Sequence, residues 1–306
     1  MDQAEQLRAL VKKHHIEETK EIHDNLSGTN AYVITVTSGK GGVGKTSVAI
    51  NLAIQLASMN KRVVIIDADM GLANVEVMLG IRPKYDLGDI MYGDKKLADI
   101  ITKGPMGIGF ISGGSGIHEL NNLTKDQIYN MTNRLHELDD IADYVIVDTG
   151  AGITDTIMQF VKVSMQVLVV TTPEPTSITD AYAVIKALNR EIKREDDISV
   201  KMISNRVSSS REGEVLYNKL NSVVEKYLQL KLEYAGTVVQ DNNLSKGILN
   251  QQPVSITHPN SSSVKYIRNL AESIVDDNIH KDKKSMASVF THFFTSGLLL
   301  KKGEVK

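Results

Sequence analysis

A chain of 306 residues with net charge −2, 42% hydrophobic and 24% charged, has the make-up of a folded globular protein, which excludes a collagen-like, membrane-embedded or largely disordered molecule. A pI near 6.5 leaves no overall basic field to hold nucleic acid, so no direct nucleic-acid partner is expected. The absence of cysteine removes disulfides, thiolate-held iron–sulfur clusters, cysteine-ligated zinc and a cysteine nucleophile together, leaving the chemistry to oxygen and nitrogen groups.

The first 29 residues carry charges from the start and no apolar stretch of signal-peptide length, so a cytoplasmic chain is expected. From residue 2 to about 25, Leu7, Leu10 and Val11 at helical spacing predict a short amphipathic helix, broken by Ser27, Gly28, Thr29 and Asn30. From Ala31, short β-branched runs alternate with longer helical patterns, as in parallel βαβ units. Strands are predicted at 32–37, 63–67, 109–112, 144–148, 167–172, 200–205 and 235–239, and helices at 47–59, 125–138, 179–194, 212–227 and 262–275. Several of the strands are apolar along nearly their whole length, which fits a sheet covered by helices on both faces. The reading is an α/β, doubly wound, mostly parallel fold over 31–276. An arm, 1–30, precedes it, and a polar tether starting at Asp276 leads into the tail, 277–306.

The first predicted strand runs into Gly39-Lys40-Gly41-Gly42-Val43-Gly44-Lys45-Thr46, a full match to the phosphate-loop pattern G-x-x-x-x-G-K-[ST] in its strand-then-helix context. Amides of Gly41, Gly42, Val43 and Gly44 converge on phosphate oxygens, Lys45 reaches the β- and γ-phosphates, Thr46 ligates Mg²⁺, and the helix opening through Ser47 offers its positive end.

Lys40 makes the loop Lys-Gly-Gly-x-Gly-Lys-Thr, which resembles the deviant phosphate loop of the MinD/ParA class of ATPases. The resemblance implies ATP/ADP with Mg²⁺, ATP hydrolysis, and a homodimer in which Lys40 reaches the partner's phosphates. It also assigns catalysis to Asp69, in Val63-Val64-Ile65-Ile66-Asp67-Ala68-Asp69, as the carboxylate that positions or activates water. Asp148, at the end of Tyr144-Val145-Ile146-Val147-Asp148, matches the aspartate that holds Mg²⁺ through water. Asp67 has two roles open to it, supporting the magnesium shell or capping the next segment. Asn205 matches the position that reads adenine, and Asp241 falls in a stretch similar to the base-enclosing loop. Thr149-Gly150 departs from the family's usual proline before Ala151.

The last 26 residues hold six lysines against Asp282 and Glu304, a local charge of +4, around an apolar face that includes Phe290, Phe293, Phe294 and Leu298. That pattern describes an amphipathic helix lying on an anionic phospholipid membrane, with docking on its own domain as the alternative. At the other end, Asp2-Gln3-Ala4-Glu5-Gln6-Leu7-Arg8 resembles the Asp-Gln-Ala-x-x-Leu-Arg motif of flagellar-number regulators of the FlhG type. In that group Asp2, Gln3, Leu7 and Arg8 would engage and stimulate the signal-recognition-type GTPase FlhF, and flagellar C-ring proteins would be further partners. The expected localisation is cytoplasmic, and peripheral on the inner face of the membrane with ATP. A cell-division positioning ATPase and a chromosome-partition ATPase are the alternative readings.

Overall fold

The computed structural model describes residues 31–69, 74–92, 95–114, 137–192 and 198–278. In chain order these form β1 (Tyr32–Ser38), α1 (Lys45–Ser58), β2 (Val63–Ala68), α2 (Asn74–Leu79), α3 (Leu87–Tyr92), α4 (Leu97–Ile100), β3 (Thr102–Lys103) and β4 (Gly109–Ile111). After them come α5 (Leu138–Ile141), β5 (Tyr144–Ala151), α6 (Asp155–Val163), β6 (Gln166–Thr171), α7 (Pro175–Glu191), β7 (Ser199–Val207), α8 (Ser210–Tyr227), β8 (Leu232–Val239), α9 (Asn242–Leu249), α10 (Val254–Thr257) and α11 (Ser262–Asn278). The described strands form one sheet in the order β3-β4-β2-β5-β1-β6-β7-β8. All neighbours are parallel except the two-residue edge strand β3, which runs antiparallel to β4.

Strand alternation divides the core between two faces. On β1, Tyr32, Ile34 and Val36 pack with α1 and α11, whereas Val33 points the other way with Leu87, Leu138 and Phe160. A third cluster joins β6 and β7 to α6, α7 and α8 through Val167, Val169, Val184, Leu188 and Leu216. The α1 helix is buried almost all round, and its two interior amides are therefore hydrogen-bonded. Asn51 donates to the Ser47 carbonyl at 2.8 Å and accepts from the Ser255 amide at 3.0 Å, while Gln55 accepts from Arg268 of α11 at 3.1 Å.

All seven predicted strands are present, with β5, β7 and β8 each three residues longer than expected. The α7 helix starts at Pro175 rather than 179, because proline at a first helical position has its φ already set and its missing N–H costs nothing. The sequence reading missed α6, although Thr154 caps it by accepting from the Ile157 amide at 3.3 Å. It also ended the last helix too early. Asp276 and Asp277, read as the start of a tether, belong to α11, and Asp277 pairs with Lys201 of β7. The arm 1–30 and most of the predicted helix 125–138 lie outside the described residues, as does the tail from 279 onward.

Candidate functional site

The β1–α1 loop sits at the carboxyl edge of the sheet, between strands that turn to opposite sides, where open parallel sheets bind ligands. Gly42 and Gly44 adopt φ of +76° and +96°, the left-handed region that aims successive amides into one concavity. Gly39 is there for close approach: a Cβ on it would stand 2.2 Å from the Asp180 carbonyl of α7. Lys45 is only 7% exposed, and the Ser47 hydroxyl is buried with no partner.

The three central strands bring the acidic residues to the same edge. Asp148 on β5 pairs in register with Asp67 on β2 and Val36 on β1. Asp148 is fully buried and neither of its oxygens has a hydrogen-bond partner of good geometry. Burial pushes its carboxyl up to about 7; the Thr46 hydroxyl and Lys45 oppose the rise, and Asp67 and Asp69 add to it. Burial also raises Asp67, to about 6, against the two backbone hydrogen bonds it accepts. Those bonds come from Val75 at 3.0 Å and Asp69 at 3.2 Å, so of its two open roles the structure shows the cap, closing the turn into α2. The Asp69 carboxylate is held by the Asn74 amide at 2.8 Å.

On the other side of the loop, Lys40 turns to the start of α7 in its own chain, donating to Glu174 at 2.6 Å and to the Thr176 hydroxyl at 2.9 Å. The Lys40 ammonium holds the Glu174 carboxyl below its ordinary range. Asn205 is 5% exposed and its amide is spent on the loop: Nδ2 donates to the Val43 carbonyl at 2.6 Å and Oδ1 accepts from the Arg206 amide at 2.9 Å. A Cβ at Gly44 would strike that same Nδ2, so Asn205 buttresses the phosphate loop. Arg206, at φ +56°, opens onto a pocket of about 520 Å³ lined also by Pro173, Glu174, Ser208, Glu212 and Gln240.

Asp241 does not face that pocket. It accepts from the Asn243 amide at 2.8 Å and from the Ser263 hydroxyl and amide at 2.8 and 3.2 Å, tying the start of α9 to that of α11. Burial acts to raise its carboxyl, but these donors outweigh it and leave the group below the usual range. Its neighbour Gln240 lines the pocket.

The model of a protein family described as "ParA: NUBPL iron-transfer P-loop NTPase" matches residues 29–275. The chain belongs to the ParA family. Among relatives of this ParA chain, the antiactivator FleN of Pseudomonas aeruginosa is 38% identical over 242 residues, covering 79% of this chain and 85% of that protein. The flagellum site-determining protein YlxH of Helicobacter pylori is 33% identical over 285 residues, 90% of this chain and 93% of that one. A solved structure of the cell-division protein MinD from Aquifex aeolicus superimposes with a TM-score of 0.64 at 25% identity, covering 83% of this chain and all of MinD.

The P-loop of this ParA chain is thus brought together with Asp67, Asp69, Asp148 and Asn205, while Asp2, Gln3, Leu7, Arg8, Phe290, Phe293, Phe294 and Leu298 lie outside the described residues. Three participants went unassigned from sequence. Asn74 lies five positions beyond Asp69, at the start of α2, and had no role assigned. Glu174 is separated from its lysine partner by 134 positions, and Arg206 adjoins Asn205. Only the left-handed backbone of Arg206 marks it out, and spacing carries no trace of φ.

Proposed function

We propose that this chain is a magnesium-dependent ATPase switch whose ATP-bound homodimer associates with an anionic membrane and regulates flagellar placement and number. The observation that carries the chemistry is the orphaned Asp148 carboxylate buried beside the phosphate loop. A buried carboxylate whose oxygens accept no hydrogen bond of good geometry is costly unless a cation completes it. Thr46 and Asp148 therefore fit a hydrated Mg²⁺, which when bound neutralises charge on the β- and γ-phosphates.

The chain's own residues supply the rest. Amides of Gly41 to Thr46, with Lys45, bind and orient the triphosphate, and Ser47 offers its unpartnered hydroxyl. Asp69 orients the attacking water as Asn74 holds its carboxylate. Asn205 supports the loop and presents the base side of the site. Lys40 must leave Glu174 before it can neutralise a partner's phosphates, which ties dimerisation to opening one ion pair. The flagellar assignment is supported by the relatives FleN, an antiactivator, and YlxH, a flagellum site-determining protein, and by the resemblance of Asp2, Gln3, Leu7 and Arg8 to the motif that would stimulate FlhF. Phe290, Phe293, Phe294 and Leu298 would seat the tail on lipid at the inner face of the membrane, and among the described residues no helix is long and apolar enough to cross one. Cluster carriage, suggested by the iron-transfer wording of the family description, lacks thiolates in this chain.

Size exclusion with light scattering tests the switch. With Mg-ATP the mass doubles and with ADP it does not. Asp69→Ala retains the doubled species for longer, and Lys40→Ala binds ATP yet stays single. Unchanged mass of the parent protein with Mg-ATP would overturn the reading.

A further inference from the structure

We infer that the exposed apolar cluster on α2, α9 and α10 is the docking site of the chain's own amino-terminal arm, seated there through Leu7, Leu10 and Val11. The arm lies outside the described residues; its spacing, charge and tether length identify it as the occupant.

Four of the ten large apolar side chains exposed among the described residues fall on these three short helices. Leu249 is 82% exposed and Val77 57%, and Ile248 and Ile256 are exposed as well. Backbone contacts hold the four close together. The Gly80 amide donates to the Val77 carbonyl at 3.3 Å and the Gln251 amide to the Ile248 carbonyl at 3.2 Å. Those two turns abut, since a Cβ on Gly80 would stand 3.2 Å from Gln251 Cβ. The α9 helix sits equally tightly on the lead into α10: a Cβ on Gly247 would stand 2.6 Å from the Gln252 carbonyl oxygen. Apolar side chains gathered like this, rather than scattered singly, mark a surface that something covers.

Charge chooses between the two ends of the chain. From 242 to 271, through α9, α10 and much of α11, the sequence has Lys246, Lys265 and Arg268 and no carboxylate, while Glu76 beside Val77 is half-buried. The tail brings a charge of +4 to this cationic surface and is repelled. The arm, from Asp2 to Asp24, has six carboxylates against Arg8, Lys12, Lys13 and Lys20. Its net charge of −2 complements the surface, and its three apolar residues at helical spacing match a small patch. Reach is no obstacle. Nineteen residues separate Val11 from Ala31, enough to span about 60 Å when extended, against a radius of gyration of about 18 Å for a domain of this size. The tether also supplies an effective concentration on the order of millimolar, so a small contact suffices. A protein that grips the arm by its apolar face must first lift it from this surface, so docking withholds the arm.

The absence of native cysteine allows a direct test on the full chain without nucleotide. Gln6→Cys is combined with Asn250→Cys beside the cluster or, as control, with Asn218→Cys on α8 across the sheet, and each pair is treated with a short bismaleimide. The 6–250 pair should link within one chain at least about tenfold faster than the 6–218 pair, and Leu249→Asp should bring it down to the control rate. Equal rates for the two pairs, or a 6–250 rate indifferent to Leu249→Asp, overturn the inference. So does a link that joins two chains, which makes the cluster a contact between copies, or faster linking of 250 to Thr291→Cys than to Gln6→Cys, which gives the site to the tail.

Discussion

The two edges of the central sheet treat charge in opposite ways. At the amino edge, charges are paired. Arg62 donates its amide to Asp143 Oδ2 at 2.8 Å and its guanidinium to Oδ1 at 2.8 and 3.2 Å, and Lys201 is shared between Asp277 and Glu233. Neutral groups such as the Ser199 hydroxyl are left unpaired there, but among the described residues no buried charge at this edge is: Asp139, 1% exposed, accepts from the Ala31 amide at 3.0 Å. At the carboxyl edge, Asp148 is buried with both oxygens orphaned, and Lys45 is nearly buried beside it. The lesson is that one edge is finished by folding alone, while the other is completed by a ligand that brings its own charges.

Three substitutions break or sharpen that contrast. The largest effect belongs to Lys45→Ala, which removes the fixed cation from the ligand's side. Affinity for Mg-ATP should fall by at least about 100-fold, near 2.7 kcal/mol, in isothermal titration calorimetry, with the fold retained by circular dichroism. An affinity within tenfold of the parent would deny that the carboxyl edge is an anion site.

Asp148→Asn relieves the orphaned charge. The unfolded carboxyl titrates near 3.8 and the folded one near 7, so between these values the folded chain keeps a proton that the unfolded chain has lost. Stability of the ligand-free protein therefore falls as pH rises through that window and levels off above it, with Asp67 contributing in the same direction up to about 6. The asparagine variant should flatten most of this slope and melt higher than the parent at about pH 8, by the equivalent of about 1–3 kcal/mol, while losing magnesium-dependent turnover. Melting curves across pH, without nucleotide, decide it; a parent protein that gains stability towards pH 8 would contradict the sign.

The smallest effect is at the finished edge. Lys201→Met should cost about 1–2 kcal/mol in urea unfolding, since it strips Asp277 and Glu233 of their shared partner, and leave kcat within about twofold. A large kinetic effect would mean that the two edges are coupled.

Most of the sheet was legible because its strands are short β-branched runs, and each run carries its own signal. The phosphate loop was legible for a similar reason: Gly39 through Thr46 are contiguous, and the backbone of one turn sets their geometry. Side-chain commitments were harder. Asp67, Asp148 and Asp241 look alike as aspartates near strand ends, yet one caps a turn, one is orphaned and one ties two helix starts together. The difference lies in which amides fold back within reach, and that is decided by residues such as Val75 and Ser263 rather than by the aspartate.

The sequence by itself determined the doubly wound pattern, the anion-binding turn and the candidate residues along its edge, because those depend on contacts a few positions apart. Only the tertiary structure decided that Lys40 is held by Glu174, that Asn205 braces Val43, and that Asp69 lies against the bare backbone of Gly150. Each of those pairs joins residues more than 80 positions apart, and such pairs form only when strands distant in the chain are laid side by side in a sheet.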